Sequence, residues 1–321
     1  MNTVSDPSLV RIVFMGTPDF AVASLRALLV AKAPVVGVIT APDRPAGRGR
    51  KLQHSAVKAL ALEKGLELLQ PTNLKDPEFL ASLRAWKADL QVVVAFRMLP
   101  REVWQMPRLG TFNLHASLLP QYRGAAPINW AIINGETRTG ATTFFIDEKI
   151  DTGTIILQEA MDILPGDNAG SLHDRLMTLG AHLVVHTCLL IVDGRANPVR
   201  QRESGELRAA PKLDKENCRI DWEAPLGRIH DLIRGLSPYP GAWCLLESGP
   251  REDTLKIFES AIEPVAHDLP LGSLHREKDT LKVAVKDGFL HILQLQLSGK
   301  RRMETKELLN GLNLEKEARL R

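Results

Sequence analysis

Three features are scarce in this 321-residue sequence, and each scarcity removes a class of function. Cysteine occurs only as Cys188, Cys218 and Cys244, far apart and without C-x-x-C spacing, so neither a disulfide framework nor a structural zinc site is expected. No stretch approaches the ~18 uninterrupted apolar residues of a membrane span. The greasiest, Leu183–Val192, is broken by His186. Charge of one sign is not in excess either, since 41 basic and 38 acidic residues leave +3. Coating of nucleic acid by bulk charge is therefore excluded, and any such contact must come from local patches. Met1–Pro7 is polar and acidic, where a secretory signal has a basic start and an apolar stretch, and reads as a disordered leader on a cytoplasmic chain. The G-x-S-x-G elbow of serine hydrolases and the phosphate-binding G-x-x-x-x-G-K-[ST] loop are missing too.

With 44% apolar residues, the chain has enough hydrophobic side chain for real cores, and its length makes room for about two domains at ~100–200 residues each. In the first half, short β-branched runs alternate with helical patterns, which predicts βαβ units and a mostly parallel sheet covered on both faces. Val10–Met15, Val35–Thr40, Leu90–Ala95 and Gly110–His115 are continuous apolar runs of the kind a doubly covered strand needs, with a weaker one at Leu66–Leu69. Helices are predicted at Phe20–Ala31, Ser55–Lys64, Pro77–Trp86 and Ala126–Ile133, with Ser55 as an N-cap and Pro77 in a first turn. Strands at Ala141–Ile146 and Thr154–Gln158 flank Asp151-Thr152-Gly153, and periodicity from Gly170 to Val192 predicts the helix that closes the domain. From Asp193 to Asn217 the apolar pattern collapses, as in an exposed connection. Beyond it, a short helix at Leu226–Leu236 and alternating runs at Ala242–Glu247, Leu255–Ala261, Lys282–Val285 and Phe289–Leu295 predict a small β-barrel or sandwich. The expected division is 8–192, a linker over 193–207, and 208–321.

Four places carry candidate chemistry. Met15-Gly16-Thr17-Pro18-Asp19-Phe20 sits where a dinucleotide-binding protein carries G-x-G-x-x-G, yet it holds one glycine of the three, which a tight strand-to-helix turn explains. Asp43 supplies the acidic residue such a protein needs, but without the glycines. The segment Ala41–Lys51 holds four cations, Arg44, Arg48, Arg50 and Lys51, with prolines and glycines that exclude a regular element. At the carboxyl end of a parallel strand it suits a phosphate-bearing substrate. Asn113 and His115 share one face at a strand's end, because side chains alternate there. An amide that donates to a developing oxyanion, beside an imidazole that titrates near neutral pH, suits acyl-group transfer. Asp151 is either the acceptor of an Asx-turn or a carboxylate that orients a histidine or holds a water. From Gly205 onward there are 19 basic and 19 acidic residues, so RNA contact in that half would rest on clusters such as Lys300-Arg301-Arg302, which otherwise read as a solvated turn.

Taken together and in order, Phe14-Met15-Gly16-Thr17-Pro18-Asp19-Phe20, the loop Pro42 to Gly49, Asn113-Leu114-His115 with Ser117-Leu118-Leu119-Pro120 and Tyr122-Arg123-Gly124-Ala125-Ala126-Pro127, and Asp151-Thr152-Gly153 resemble the methionyl-tRNA formyltransferases, over about residues 10 to 310. The Asn-x-His and Asp set belongs to the wider group that uses 10-formyltetrahydrofolate. The basic loop and the second domain resemble the tRNA enzymes alone, as does Lys212-Leu213 with Arg219-Ile220-Asp221-Trp222 at the start of the C-terminal domain. The resemblance implies a Rossmann-like catalytic domain followed by an OB-like tRNA-binding barrel, a monomer that needs no metal, and formyl transfer from 10-formyltetrahydrofolate to the amino group of methionyl-initiator tRNA. It implies that Asn113 holds the formyl oxygen, that His115 stabilises or protonates the tetrahedral intermediate, and that Asp151 positions His115 and a water. Ser117, Leu118, Leu119 and Pro120 would line the folate. Arg44, Arg48, Arg50, Lys51, Lys300, Arg301 and Arg302 would meet tRNA. Ala95-Phe96-Arg97-Met98-Leu99-Pro100 departs from the family's usual A-Y-G-x-I-L-P by one residue and one charge. The rivals are a formyltransferase for a free ribonucleotide amine or nucleotide sugar, a nucleotide-dependent oxidoreductase, and a non-catalytic RNA-binding protein.

Overall fold

The computed structural model describes residues 10–46, 51–202, 205–311, 314–315 and 317–321, with the backbone only of Ala46, Lys51 and Arg251. The chain divides into two compact units. The first comprises residues up to Gly124, Thr139–Asp162 and His173–Ala209; the second comprises Ala125–Arg138, Ile163–Leu172 and Ala210–Arg321.

Seven strands make the sheet of the first unit, in the order Ile155–Asp162, Arg138–Phe145, Thr111–His115, Leu90–Val94, Ile12–Gly16, Val35–Ile39 and Leu68–Leu69. The five from Thr111–His115 to Leu68–Leu69 run parallel, and Arg138–Phe145 pairs antiparallel with Thr111–His115. Ile12–Gly16 and Leu90–Val94 are buried at every position, as strands covered on both faces must be. Helix Asp19–Val30 buries Phe20, Ala21, Ser24, Leu25 and Leu28, one stripe at helical spacing, and Asp19 sits favourably in its first turn. Gly16 is needed for close packing: a Cβ there would lie 2.5 Å from Ala21 Cβ and 3.0 Å from the Val94 carbonyl oxygen. The strand-to-helix turn thus accounts for this glycine without a nucleotide.

Helix Pro77–Ala85 begins with Pro77 and is capped by Asp76, which accepts from the Glu78 and Phe79 amides. Ser55 caps helix Ala56–Glu63 by accepting from Lys58 N at 3.0 Å, and its hydroxyl also meets Thr40 Oγ1 at 2.7 Å. Helix Ala169–Val192 is long and apolar enough to cross a membrane by length and composition. It is nevertheless pinned to the sheet: Thr187 Oγ1 donates to Leu183 O at 2.8 Å, so the 2.7 Å contact with Thr143 Oγ1 is donated by Thr143.

One expectation is corrected here. Arg44–Ala46 pairs antiparallel with Lys51–Gln53, so the basic segment contains a small hairpin despite its prolines and glycines. Proline is tolerated because a two-stranded ribbon leaves half of its backbone groups unpaired. The stretch after Asp193 is exposed, and it is tethered at one point. Ile155 and Val199 exchange two backbone hydrogen bonds of 2.8 Å each, which lays the chain along the sheet's edge. Polar side chains hide this docking because backbone groups make it.

In the second unit, helices Pro127–Ile133 and Leu226–Gly235 pack closely enough that a Cβ at Gly235 would meet Ile133 Cγ1 at 2.6 Å. Its antiparallel sheet orders Leu274–Glu277, Thr280–Val285, Gly288–Leu297, Arg251–Pro264, Ala242–Ser248 and Arg319–Leu320, with Met303–Glu304 pairing Gly288–Leu297. Leu320 N donates to Gly272 O at 2.8 Å and Leu274 N to Ala318 O at 3.1 Å, so the outer strands meet and the sheet curls into a barrel. Ala242–Ser248 alternates buried and half-buried residues, the period of a strand with one face on a core.

Replacing Ser55 by alanine removes a cap and leaves the buried Thr40 hydroxyl without its partner. Urea unfolding is expected to show a loss of about 1–2 kcal/mol with unchanged m-value.

Candidate active site

Thr111–His115 lies in the middle of the sheet, with Asn113 opposite Val93 on one side and Phe144 on the other, and His115 opposite Thr142. Phe112 and Leu114 are buried on the opposite face. Asn113 is half-buried, and among the described residues nothing hydrogen-bonds its side-chain amide. His115 is only 6% exposed.

After His115 the chain folds back over the strand end, and side chains hold it there. Ser117 Oγ donates to Gln121 O at 2.6 Å. Thr142 Oγ1 donates to Ser117 O at 2.6 Å and accepts from Leu119 N and from Gln158 Nε2, which also reaches Leu119 O. The Gln121 side chain bridges Arg208 N and Glu206 O. This return delivers the Tyr122 carbonyl to His115 Nε2 at 2.8 Å. A carbonyl oxygen only accepts, so Nε2 carries the hydrogen and Nδ1 is the atom open to a second proton.

Nδ1 faces Asp151 Oδ2 at 3.8 Å, and that same oxygen accepts from Gly124 N at 3.0 Å. The Asx-turn in this loop belongs to Asp147, whose Oδ1 accepts from Lys149 N and Thr152 Oγ1, which leaves Asp151 for the histidine. Tyr122 and Asp151 both have left-handed backbones, φ 59° and φ 56°. Such conformations cost on the order of 1 kcal/mol at a non-glycine residue and are kept where surroundings impose them. Gly153 is one such imposition: a Cβ there would lie 1.6 Å from Phe145 O.

Gln201 is the residue that sequence reasoning missed. Its Nε2 donates to the carbonyls of Asp151 and Gly153 at 2.8 and 2.9 Å, while its Oε1 accepts from Arg123 Nη2 at 2.7 Å. One amide thereby joins the Asp151 turn to the segment that follows Tyr122. An unpartnered amide, an imidazole with a fixed tautomer and a carboxylate behind it are the parts of an acyl-transfer site.

Residues 10–188 match the formyl transferase family, and 212–313 match its C-terminal domain. The methionyl-tRNA formyltransferase of Flavobacterium johnsoniae is 56% identical over 310 residues, which cover 97% of this chain and 98% of that one. That of Bacteroides fragilis is 58% identical over 95% of each. The chain belongs to the methionyl-tRNA formyltransferase family. Among solved structures, the fold is similar to a sugar 3N-formyl transferase determined with dTDP and 5-N-formyl-tetrahydrofolate, at TM-score 0.65 and 20% identity over 91% of this chain and 99% of that one. It is also similar to HypX of Aquifex aeolicus in complex with tetrahydrofolic acid, at TM-score 0.62 and 20% identity over 93% of this chain and 46% of that one.

Within this member of the formyltransferase family, the other residues singled out from sequence fall in several places. Ser117 and Leu119 are buried, with the Ser117 hydroxyl engaged internally, while Leu118 and Pro120 keep partly exposed surface. Arg97 donates to the carbonyls of Thr72 and Pro71 and stacks 5.6 Å from the Phe96 ring, so the added charge clasps a neighbouring loop. Arg44 is exposed; Arg48 and Arg50 lie outside the described residues, as does the side chain of Lys51. Asp43, the residue an oxidoreductase would have used for a ribose, is occupied. Lys58 Nζ at 2.6 Å and Gln70 Nε2 at 2.9 Å hold its carboxyl well below the usual range. Lys300, Arg301 and Arg302 are exposed in the second unit, where Arg301 pairs with Glu307 and Arg302 Nε donates to Gln294.

Gly153→Ala is expected to displace the turn that carries Asp151, because backbone cannot yield as a side chain can. Formyl transfer should fall by about 100-fold or more while the protein remains folded, as read by turnover alongside circular dichroism.

Proposed function

We propose that this chain transfers the formyl group of 10-formyltetrahydrofolate to the amino group of methionyl-initiator tRNA in the cytoplasm, giving N-formylmethionyl-tRNA. The names of relatives at 54–58% identity support the substrates. The observation that carries the chemistry is the pairing of an open Asn113 amide with a His115 whose bare nitrogen faces Asp151 at 3.8 Å. Residues 8–192 act as the catalytic domain, 193–207 as a linker and 208–321 as a tRNA-binding domain.

In the reaction the methionine nitrogen adds to the formyl carbon, and the carbonyl oxygen becomes an oxyanion. Asn113 donates to that oxygen, an interaction that strengthens as charge develops. His115 takes up at Nδ1 the proton that the attacking methionine nitrogen loses, relayed by a water that Asp151 positions, and the Asp151 carboxylate offsets the imidazolium charge. Collapse breaks the bond between the formyl carbon and the folate N10, which receives the proton held by His115 and leaves the imidazole neutral again. Ser117 to Pro120 fix the folate, with Leu118 and Pro120 as its apolar rim. Arg44, with Arg48, Arg50 and Lys51, meets phosphates at the acceptor end, and Lys300, Arg301 and Arg302 hold tRNA farther away.

Asn113→Ala and His115→Ala are each expected to lower kcat on methionyl-tRNA by about 100-fold or more with little change in KM for the tRNA. Gel separation of aminoacylated from formylated tRNA measures this directly. Wild-type turnover in either variant, or formylation of a free amino sugar nucleotide in preference to the tRNA, would sink the assignment.

A further inference from the structure

The second unit is neutral overall, yet among the described residues several cations on its outer barrel face form no ion pair. The Trp243 ring has Lys215 Nζ 5.0 Å from its centroid and Arg219 Cζ at 5.5 Å, and its indole N–H donates to Lys215 O at 2.6 Å. Lys256 lies directly across from Trp243 on the next strand, and Gln296 across from Lys256. Arg302 stacks over Phe258 at 4.4 Å. Among the described residues none of Lys215, Arg219, Lys256 and Arg302 forms an ion pair, whereas cations elsewhere on the barrel do: Arg319 and Arg321 with Glu247, Lys282 with Glu263 and Glu277, Lys306 with Asp279. Of the two acidic residues at this turn, Asp214 caps it by accepting from Asn217 N, and Glu216 is exposed and forms no ion pair with Lys215 or Arg219.

Beside this strip stands Tyr239, 82% exposed. Its loop is anchored on both sides, since Gly170 N donates to Ser237 O at 3.1 Å and Lys256 Nζ to Pro240 O at 2.8 Å. Gly241, at φ 86°, packs so closely that a Cβ would meet Phe258 at 2.7 Å. A large aromatic ring is thus held out in water on a fixed loop next to cations that form no ion pair. Such cations interleaved with aromatic faces suit a strand of phosphates with bases that can stack.

We propose that this strip is an RNA-binding track on which Lys215, Arg219, Lys256 and Arg302 meet tRNA phosphates and Tyr239 stacks on an unpaired base. It rests on the methionyl-tRNA reading above and assigns to that substrate a specific surface. The test uses the full chain, with KM for methionyl-tRNA and, independently of turnover, the salt dependence of binding to uncharged tRNA. Tyr239→Ala should weaken both about 5- to 20-fold with the salt slope kept, while Tyr239→Phe stays near wild type. Lys215→Gln with Arg219→Gln should flatten the log–log salt slope by about one unit per lost contact. Melting temperature checks that the variants are folded. Wild-type affinity in Tyr239→Ala, or an unaltered slope in the double variant, overturns the track and leaves formyl transfer standing. Variant-sensitive tRNA binding by a wild-type chain that formylates no aminoacyl-tRNA overturns the functional reading instead.

Discussion

Among the described residues the imidazole of His115 is held by one hydrogen bond, to the carbonyl of Tyr122, and the rest of the site is arranged so that this carbonyl arrives in place. The bond settles which nitrogen bears hydrogen and turns the other toward Asp151. For it to form, the chain must double back over the strand end, which strands the backbone groups of Ser117 and Leu119 away from ordinary ladder partners. Thr142 and Gln158 satisfy them from the neighbouring antiparallel strands. Unpaired backbone groups in such a place would each cost on the order of 1–3 kcal/mol, so these two side chains are as necessary to the site as the imidazole they help to place.

Much of this architecture was legible in advance where one physical cause acts alone. Doubly buried strands such as Leu90–Val94 announce themselves by unbroken apolar runs, and Ser55 and Asp76 precede helices as caps should. Asn113 and His115 could be placed on one face because a strand alternates with period two. What could not be read is contact made through backbone or across long separations. Tyr122 acts through its carbonyl, which every residue possesses. Gln201 lies fifty positions from Asp151 in a stretch without periodicity, and its polar composition resembles that of an exposed connection. Which of Asp147 and Asp151 accepts in the loop's turn could not be read either; it is Asp147.

The same contrast holds for charge. A count of residues over the second half gives neutrality, and the informative quantity is which cations find carboxylates. Arg301, in the cluster that sequence picks out, is partly neutralised by Glu307, while Lys215, Arg219 and Lys256, scattered in sequence, converge around Trp243. Strand pairing brings together what spacing along the chain conceals.

Strand Arg138–Phe145 is gripped on both faces at adjacent residues, with the Thr142 hydroxyl committed to the segment above His115 and the Thr143 hydroxyl to Thr187 of the long helix. An apolar helix lying on an apolar sheet can slide, because dispersion contacts barely distinguish one turn from the next. Here sliding would break a buried hydroxyl pair, and a one-residue slip of the strand would exchange the two threonines and lose both sets of partners. The buried pair therefore acts as an index mark for assembly. It discriminates against misaligned but equally greasy packings, so one pair of hydroxyls ties the position of the helix to the register of the strand beside His115.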